Sequence, residues 1–236
     1  MNRDSIFTMR LGIGRIVEIQ SDVSGKTAAR VICPVGMIPR PGQYLLAYDR
    51  EDKSQVLSEV VFPSEISHDG FLSAPGIPEA WNVGTRLSLR GPLGRGFSLD
   101  GHIRRLVLVS FGESVTRLLP LMETAFRQKA AVAIFADCPL PTLPASVEAF
   151  PLVALPEALP WAEMVALEVP FEKITGLRKR LGMQERFPCP TQVLVTTAMP
   201  CGGMAECGAC AVQARRGWKL ACKDGPVFDQ DEIDIW

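Results

Sequence analysis

Hydrophobic and polar residues alternate in short runs through the first hundred residues of the chain. Glycine and proline interrupt the runs, which lie at 14–19, 28–33, 44–48, 56–61 and 86–89. Alternation with a period of two is typical of strands with one buried face, and frequent turn signals favour antiparallel connections. This part of the sequence therefore predicts a small antiparallel β-barrel or sandwich.

The pattern changes after about residue 104, where continuous apolar runs replace the alternating ones. These runs lie at 106–109, 132–135, 147–153, 165–169 and 192–196. They are typical of parallel strands that are buried on both faces. Helical periodicity lies between some of them, at 114–129 and 171–181. Alternation of strands and helices predicts a parallel sheet with crossover helices.

The last segment of the chain has a different composition, with four of the seven cysteines and few apolar residues. A segment this short and polar cannot build its own hydrophobic core, so another interaction must organise it. We therefore predict three parts. They are a barrel of the flavin-domain type at 1–100, an α/β lobe of the nucleotide-domain type at 101–197 and a cluster-binding tail at 198–236.

Charge and hydropathy exclude some classes of function. Lys and Arg number 25 and Asp and Glu 26, for a net charge of −1. This balance argues against a nucleic-acid-binding surface spread over the molecule. The sequence contains no apolar stretch of about eighteen residues and no signal-peptide pattern, so we expect a cytoplasmic protein without membrane contact. Cysteines in that compartment are thiols or metal ligands rather than disulfides.

The cysteines of the tail have a spacing that suits an iron–sulfur cluster. Cys201, Cys207, Cys210 and Cys222 form the pattern C-x5-C-x2-C-x11-C. Plant-type ferredoxins bind a [2Fe–2S] cluster with C-x4-C-x2-C and a distant fourth cysteine, which differs by one residue in the first gap. Two bridged irons need two thiolates each, and this spacing supplies them.

Two other interpretations of these cysteines stay open at this point. A structural zinc site also takes four cysteines, but it usually arranges them as two C-x2–4-C pairs, and only one such pair is present here. Unligated thiols are the second alternative. Cys33, Cys138 and Cys189 lie outside the pattern, and we interpret them as small buried hydrophobic residues.

The tail resembles a known family of proteins. The cysteine loop at 201–210 and the segment Ala-Cys-Lys-Asp-Gly-Pro-Val-Phe at 221–228 resemble the end of the electron-transfer subunit of class B dihydroorotate dehydrogenase, a member of the ferredoxin reductase-like superfamily. Flavin subunits of sulfhydrogenases, anaerobic sulfite reductases and ferredoxin–nicotinamide transhydrogenases share these features. Upstream, Arg-Pro-Gly-Gln-Tyr at 40–44 and Arg-Gly-Pro-Leu-Gly-Arg-Gly-Phe at 90–97 resemble elements of the family's barrel.

The resemblance implies cofactors, partners and a role. It implies a [2Fe–2S] cluster on Cys201, Cys207, Cys210 and Cys222. It also implies FAD between barrel and lobe, with the turn Gly91, Pro92, Leu93 and Gly94 as cofactor-binding residues. In the family, electrons pass from NADH through FAD and the cluster to FMN in a catalytic partner subunit, where dihydroorotate becomes orotate in pyrimidine biosynthesis. The implied assembly is a hetero-oligomer, and ferredoxin is a second candidate partner.

Two elements of the family pattern are missing. Glu59 stands where an arginine should meet the flavin pyrophosphate, and Pro75 and Pro78 interrupt the next phosphate-binding turn. The glycine-rich nucleotide turn is replaced at 110–117, where Phe111 adds a bulky side chain. These departures leave FAD open, and we expect NAD not to bind well.

The sequence therefore predicts an electron-transfer subunit of an oxidoreductase rather than a complete enzyme. It would relay electrons through the cluster between a flavin and an external carrier, in a complex of the dihydroorotate dehydrogenase type. One alternative is a flavin-free relay subunit of a hydrogenase-, sulfite reductase- or transhydrogenase-like complex. An alternative of a different class is a zinc-stapled assembly module without catalytic function.

Overall fold

The computed structural model describes residues 10–99, 101–177, 181 and 186–234. The first part of the chain forms a seven-stranded antiparallel sheet that curls into a nearly closed barrel, in the order β4-β3-β7-β1-β2-β6-β5. Its strands are β1 (Leu11–Ser21), β2 (Thr27–Ile32), β3 (Tyr44–Asp49), β4 (Glu59–Val61), β5 (Pro63–Ile66), β6 (Gly70–Ser73) and β7 (Arg86–Leu93).

The alternating runs located most of this barrel, with two differences. The run predicted at 56–61 becomes a strand only from Glu59, because Val56 and Leu57 are exposed in a loop. Strands β5 and β6 were not predicted. They are four residues each, too short for a clear alternation, and they are held in place by pairing with each other and with β2.

The second sheet contains five parallel strands and one antiparallel strand, in the order β10-β9-β8-β11-β12-β15. Its strands are β8 (Arg105–Ser110), β9 (Ala131–Ala136), β10 (Val147–Phe150), β11 (Met164–Pro170), β12 (Thr191–Thr196) and β15 (Val227–Asp229). The helices are α1 (Pro120–Arg127), α2 (Leu155–Ala158) and α3 (Phe171–Ile174). The predicted parallel sheet is thus present.

The helices are shorter than the periodicity at 114–129 and 171–181 predicts. Helix α1 begins at Pro120, because proline suits the first turn of a helix and lacks the N–H that an interior position would donate. The residues before it form hydrogen-bonded turns, with Leu118 N donating to Val115 O at 2.9 Å. Helix α3 ends at Ile174, and residues 178–180 of the predicted helix lie outside the described residues.

The tail packs onto both of the other parts instead of forming a separate unit. It contributes a hairpin, β13 (Ala211–Gln213) and β14 (Trp218–Leu220), and then β15, which adds an antiparallel edge to the lobe's sheet. One hydrophobic cluster joins Tyr44 and Leu93 of the barrel, Val193 of the lobe and Phe228 of the tail. This shared core is what organises the cysteine-rich segment.

None of the helices in the described ranges is long and apolar enough to cross a membrane.

Candidate iron–sulfur site

The hairpin of the tail brings two distant cysteines together. Cys210 directly precedes β13 and Cys222 follows β14, and Ala211 pairs with Leu220 in the hairpin. The N–H of Ala221 donates to the carbonyl oxygen of Cys210 at 3.0 Å, which continues the pairing up to the cysteines. The other two cysteines lie in the long loop between β12 and β13.

The four predicted ligands lie close enough to influence one another. The pKa of Cys201 responds to Cys207, and that of Cys222 responds to Cys210 and Cys201. We call Cys201 and Cys207 the first pair and Cys210 and Cys222 the second pair. Within the described ranges, no three potential metal ligands are grouped around one point. The spacing of the cysteines along the chain, and not a preformed cage of thiols, is therefore what indicates a cluster.

Backbone N–H groups converge on the first pair of thiols. Burial raises the pKa of Cys201, but the N–H groups of Glu206, Cys207 and Met204, together with the Cys207 thiol, lower it to about 6. The N–H of Ala209 donates to the Cys207 sulfur at 3.5 Å. Hydrogen bonds to a thiolate favour the charged form, which is the form that binds metal. The loop is therefore built to hold thiolate ligands.

The second pair, Cys210 and Cys222, is more buried, and its surroundings raise the pKa of Cys222 instead of lowering it. Burial and the neighbouring Cys210 raise the pKa of Cys222 to about 12, although the N–H of Ala205 acts in the opposite direction. Two buried thiols side by side repel each other when ionised, and a bound cation removes that repulsion. Cys210 and Cys222 are almost fully buried, whereas Cys207 is exposed. One side of the site therefore reaches the surface.

The barrel approaches this loop at a glycine. Gly203 has a φ of 72°, and a Cβ atom added there would lie 3.0 Å from the Tyr44 hydroxyl oxygen. A side chain at this position would need both a strained backbone and a displaced tyrosine. The glycine thus allows the loop to pack closely against β3.

Two side chains of the barrel contact the ligand segments, and the sequence analysis missed both. The Tyr44 hydroxyl donates to the carbonyl oxygen of Cys222 at 3.1 Å. The Arg90 guanidinium donates to the carbonyl oxygen of Gly202, next to Cys201. In the sequence, Tyr44 follows the Pro-Gly-Gln element and Arg90 precedes the 91–94 turn. These positions associate both residues with the barrel, but they do not indicate a contact with the tail.

The turn assigned to flavin by resemblance contacts the tail. A Cβ atom added at Gly94 would lie 2.5 Å from the Pro226 ring, and the next N–H, that of Arg95, donates to Gly225 O at 2.5 Å. Gly91 and Leu93 likewise pack near Tyr44. The turn therefore contacts the chain's own tail. The assignment of FAD to Gly91, Pro92, Leu93 and Gly94 stays a prediction.

The groove between barrel and lobe contains two separate cavities. One of about 60 Å³ is lined by Glu59, Phe62 and Arg117, and one of about 370 Å³ is lined by Lys26, Pro75 and Arg117, against roughly 300 Å³ at the lower end of small-molecule sites. Phe62 is 6% exposed, with its ring centroid 5.8 Å from that of Tyr44 and 5.6 Å from the Arg117 guanidinium of the lobe. Glu59 and Arg117 line the smaller cavity together, so an acid and a cation both border it. The binding of FAD in this groove stays a prediction.

A buried ion pair lies behind this groove. Arg117 donates to Oε1 of Glu168 at 2.8 Å, and the Glu168 side chain is completely buried. Burial raises the pKa of Glu168, while the charge and hydrogen bond of Arg117 lower it, with a net upward shift. At the edge of the groove Lys26 of the barrel pairs with Glu113 of the lobe. These contacts hold the two parts together.

A larger cleft of about 790 Å³ opens at the carboxyl ends of β8 and β9. This is the edge at which α/β sheets bind ligands. Asp137 lines the cleft and would repel a phosphate, and the Lys173 ammonium donates to Phe111 O at 2.8 Å. The expectation that NAD binds poorly stays a prediction.

Comparison with known families identifies the tail. Residues 196–234 match the family model described as the iron-sulfur cluster binding domain of dihydroorotate dehydrogenase B. All four predicted ligands lie within this segment. The match confirms the prediction that the tail binds an iron–sulfur cluster. No curated protein matches the sequence of the chain.

Solved structures share the fold over most of the chain. The NADH-dependent reduced ferredoxin-NADP oxidoreductase is 19% identical with a TM-score of 0.70, over 94% of this chain and 89% of that one. The ferredoxin reductase of carbazole 1,9a-dioxygenase is 17% identical with a TM-score of 0.59, over 75% of this chain and 66% of that one. The ferredoxin-NADP+ reductase of Plasmodium falciparum is 9% identical with a TM-score of 0.52, over 74% of this chain and 90% of that one. The predicted fold class, a ferredoxin reductase-like barrel and lobe with a cluster-binding tail, is confirmed.

Proposed function

We propose that this chain is the electron-transfer subunit of a multisubunit oxidoreductase, in which a [2Fe–2S] cluster on Cys201, Cys207, Cys210 and Cys222 relays single electrons. The observation that carries the proposal is the hairpin that brings Cys210 and Cys222 together, beside a loop whose Ala209 N–H donates to the Cys207 sulfur. The match of the same segment to an iron–sulfur binding domain supports it. The cluster would supply one-electron chemistry, and the chain's residues hold and shield it.

The departures from the flavin-binding pattern at Glu59 and at residues 110–117 favour a relay without its own flavin. An iron–sulfur cluster cannot accept a hydride, so oxidation of a nicotinamide requires a flavin that divides two electrons into single steps. Phe62 packs against Arg117 between barrel and lobe, and Glu59 lines the cavity of about 60 Å³ beside them, while a second cavity of about 370 Å³ also borders Arg117. The external carrier would then be a one-electron protein such as ferredoxin, and the flavin would belong to the partner.

The proposed partner is an FMN-containing catalytic subunit of the dihydroorotate dehydrogenase type. The name of the matched domain and the resemblance of the segments 201–210 and 221–228 support this choice. Oxidation of dihydroorotate to orotate releases two electrons and two protons, and the electrons would leave the partner's flavin one at a time. The complex would be cytoplasmic and serve pyrimidine biosynthesis. Within the chain, we propose the division into 1–100, 101–197 and 198–236.

The proposal can be tested in the assembled complex. The full chain would be purified anaerobically with the dihydroorotate dehydrogenase catalytic subunit of the same organism, and reduction of the cluster would be followed by EPR after dihydroorotate is added. The expected result is a cluster signal that requires both the substrate and the partner. A complex with C207S provides a matched control without the intact ligand set.

Two outcomes would contradict different parts of the proposal. If dithionite reduces the cluster but dihydroorotate with the partner does not, the dihydroorotate dehydrogenase assignment is wrong and the relay remains. Catalytic subunits of the hydrogenase, sulfite reductase and transhydrogenase types would then be tested in the same way. If the chain contains zinc and no cluster, the relay itself is wrong.

A further inference from the structure

A barrel arginine reaches into the loop that carries the first candidate ligand. Arg90 lies on β7, and its Nη2 donates to the carbonyl oxygen of Gly202. A Cβ atom added at Gly203 would lie 3.5 Å from the same nitrogen. The guanidinium therefore contacts the two glycines that directly follow Cys201.

The charge of Arg90 is not balanced by a carboxylate of the described residues. Arg95, Arg105 and Arg117 each form an ion pair with an acidic side chain, whereas none of the ion pairs found in the described ranges includes Arg90. The Nε atoms of Arg90, Arg105 and Arg117 are all buried without a hydrogen-bond partner within the same residues, so the missing carboxylate is what distinguishes Arg90. A partly buried cation of this kind is costly unless a negative charge lies nearby.

The cluster proposed for this loop would provide that negative charge. Two ferric irons, two sulfides and four thiolates sum to a net negative charge, which increases by one on reduction. A nearby fixed cation stabilises the more negative state, and low local polarity strengthens the effect. The residues near the cluster sulfurs and the charges around them set the reduction potential.

We propose that Arg90 is a positioning residue that holds the Cys201 loop and raises the reduction potential of the cluster. This inference rests on the proposed function, because it requires a redox-active cluster. The hydrogen bond to Gly202 fixes the loop. The unpaired positive charge stabilises the reduced cluster relative to the oxidised one. The barrel would thereby tune a cluster bound by the tail, without contributing a ligand.

The test compares three variants of the full chain in EPR-monitored redox titrations. R90Q keeps a hydrogen-bond donor but removes the charge, and R90K keeps the charge at a shorter reach. R86Q is the matched control, because Arg86 lies on the same strand with an exposed side chain. We expect R90Q to lower the ratio of reduced to oxidised cluster about tenfold at a given potential, which is about 59 mV for a one-electron couple. R90K should fall between R90Q and the wild type, and R86Q should match the wild type.

A wild-type midpoint in R90Q would overturn the inference, since a purely structural role leaves the potential unchanged. If R90Q does not retain its cluster, R90M decides, because it also removes the charge while keeping a long side chain. A midpoint below that of the wild type supports the inference, and an unchanged midpoint overturns it. A wild-type chain without any cluster signal would instead refute the proposed function, which keeps the two failures distinct.

Discussion

The hydroxyl of Tyr44 donates a 3.1 Å hydrogen bond to the carbonyl oxygen of Cys222, 178 positions further along the chain. This contact joins strand β3 of the barrel to the fourth candidate ligand. Tyr44 is fully buried, and its ring packs against Phe62. The barrel is thus part of the structure that holds the cluster site.

Replacing Tyr44 by phenylalanine should weaken this connection while keeping the ring. A hydrogen bond of this kind contributes about 1 kcal/mol, and its loss leaves a buried carbonyl without its donor. We expect a lower temperature for loss of the cluster's visible absorbance in Y44F. Y48F is the matched control, because Tyr48 lies on the same strand and its hydroxyl donates to Asp52 O at 3.4 Å, away from the tail. Equal effects in the two variants would contradict the proposed anchoring.

Replacing Cys207 by serine should abolish or sharply alter the visible spectrum and lower the iron content. Cys207 is the exposed member of the first thiol pair, so the substitution removes a ligand with little effect on packing. C138S is the control, because Cys138 is half-buried and lies in the lobe's cleft. An unchanged spectrum and iron content in C207S would refute the ligand assignment.

Arg95 should anchor the tail through its ion pairs. It contacts Asp229 at 2.5 Å and Glu232 at 2.6 Å, and Lys219 contacts Glu232 at 2.6 Å. The groups are partly exposed, so we expect R95Q to lose only about 1 kcal/mol of stability. In limited proteolysis, the tail of R95Q should be cleaved faster than the tail of the wild type. R105Q, which removes a similarly exposed pair with Glu163 in the lobe, should leave tail proteolysis unchanged.

Replacing Arg117 by methionine should leave Glu168 buried without its partner. Breaking a buried pair from one side costs about 3–5 kcal/mol. Burial already raises the pKa of Glu168, and loss of the Arg117 charge raises it further. The folded state then holds the proton more tightly than the unfolded state, so the stability of R117M should decrease as the pH rises above the ordinary glutamate value of 4.5. Urea unfolding followed by circular dichroism between about pH 5.5 and pH 8 measures this.

The double variant R117M/E168M provides the control for that prediction. This variant removes both charges, so most of the stability lost in R117M should return. Its free energy of unfolding should also no longer depend on pH over this range. If the single and double variants unfold alike at all pH values, the ion pair does not explain the effect.

Local patterns in the sequence were sufficient for the main architecture. Strand β7 alternates clearly, β3 is buried along almost its whole length, and the buried strands of the lobe are continuous apolar runs. Neighbouring residues alone define such runs. The cysteine spacing predicts the ligand set for the same reason. Ligands within one loop must follow each other at fixed distances, and that pattern is visible without the fold.

The remaining features depend on contacts between distant residues. Strand β5 forms by pairing with β6, and β6 also pairs with β2. Strand β15 forms by pairing with the edge of the lobe's sheet at β12. Arg90 meets Gly202 across 112 positions, and nothing in the sequence around either residue indicates the other. The contact between Phe62 and Arg117 across the groove also required the fold, although Glu59 already suggested a weakened flavin site.

The most direct test of the account is one chemical analysis of the full chain after anaerobic purification. Visible absorption would be recorded, and iron, acid-labile sulfide, zinc and released flavin would be assayed on the same sample. We predict two irons and two sulfides per chain, an absorption spectrum of the [2Fe–2S] type, and neither zinc nor stoichiometric FAD. Iron and sulfide together with one FAD would contradict the flavin-free relay. Zinc without sulfide would contradict the central claim that the four cysteines bind a redox cluster.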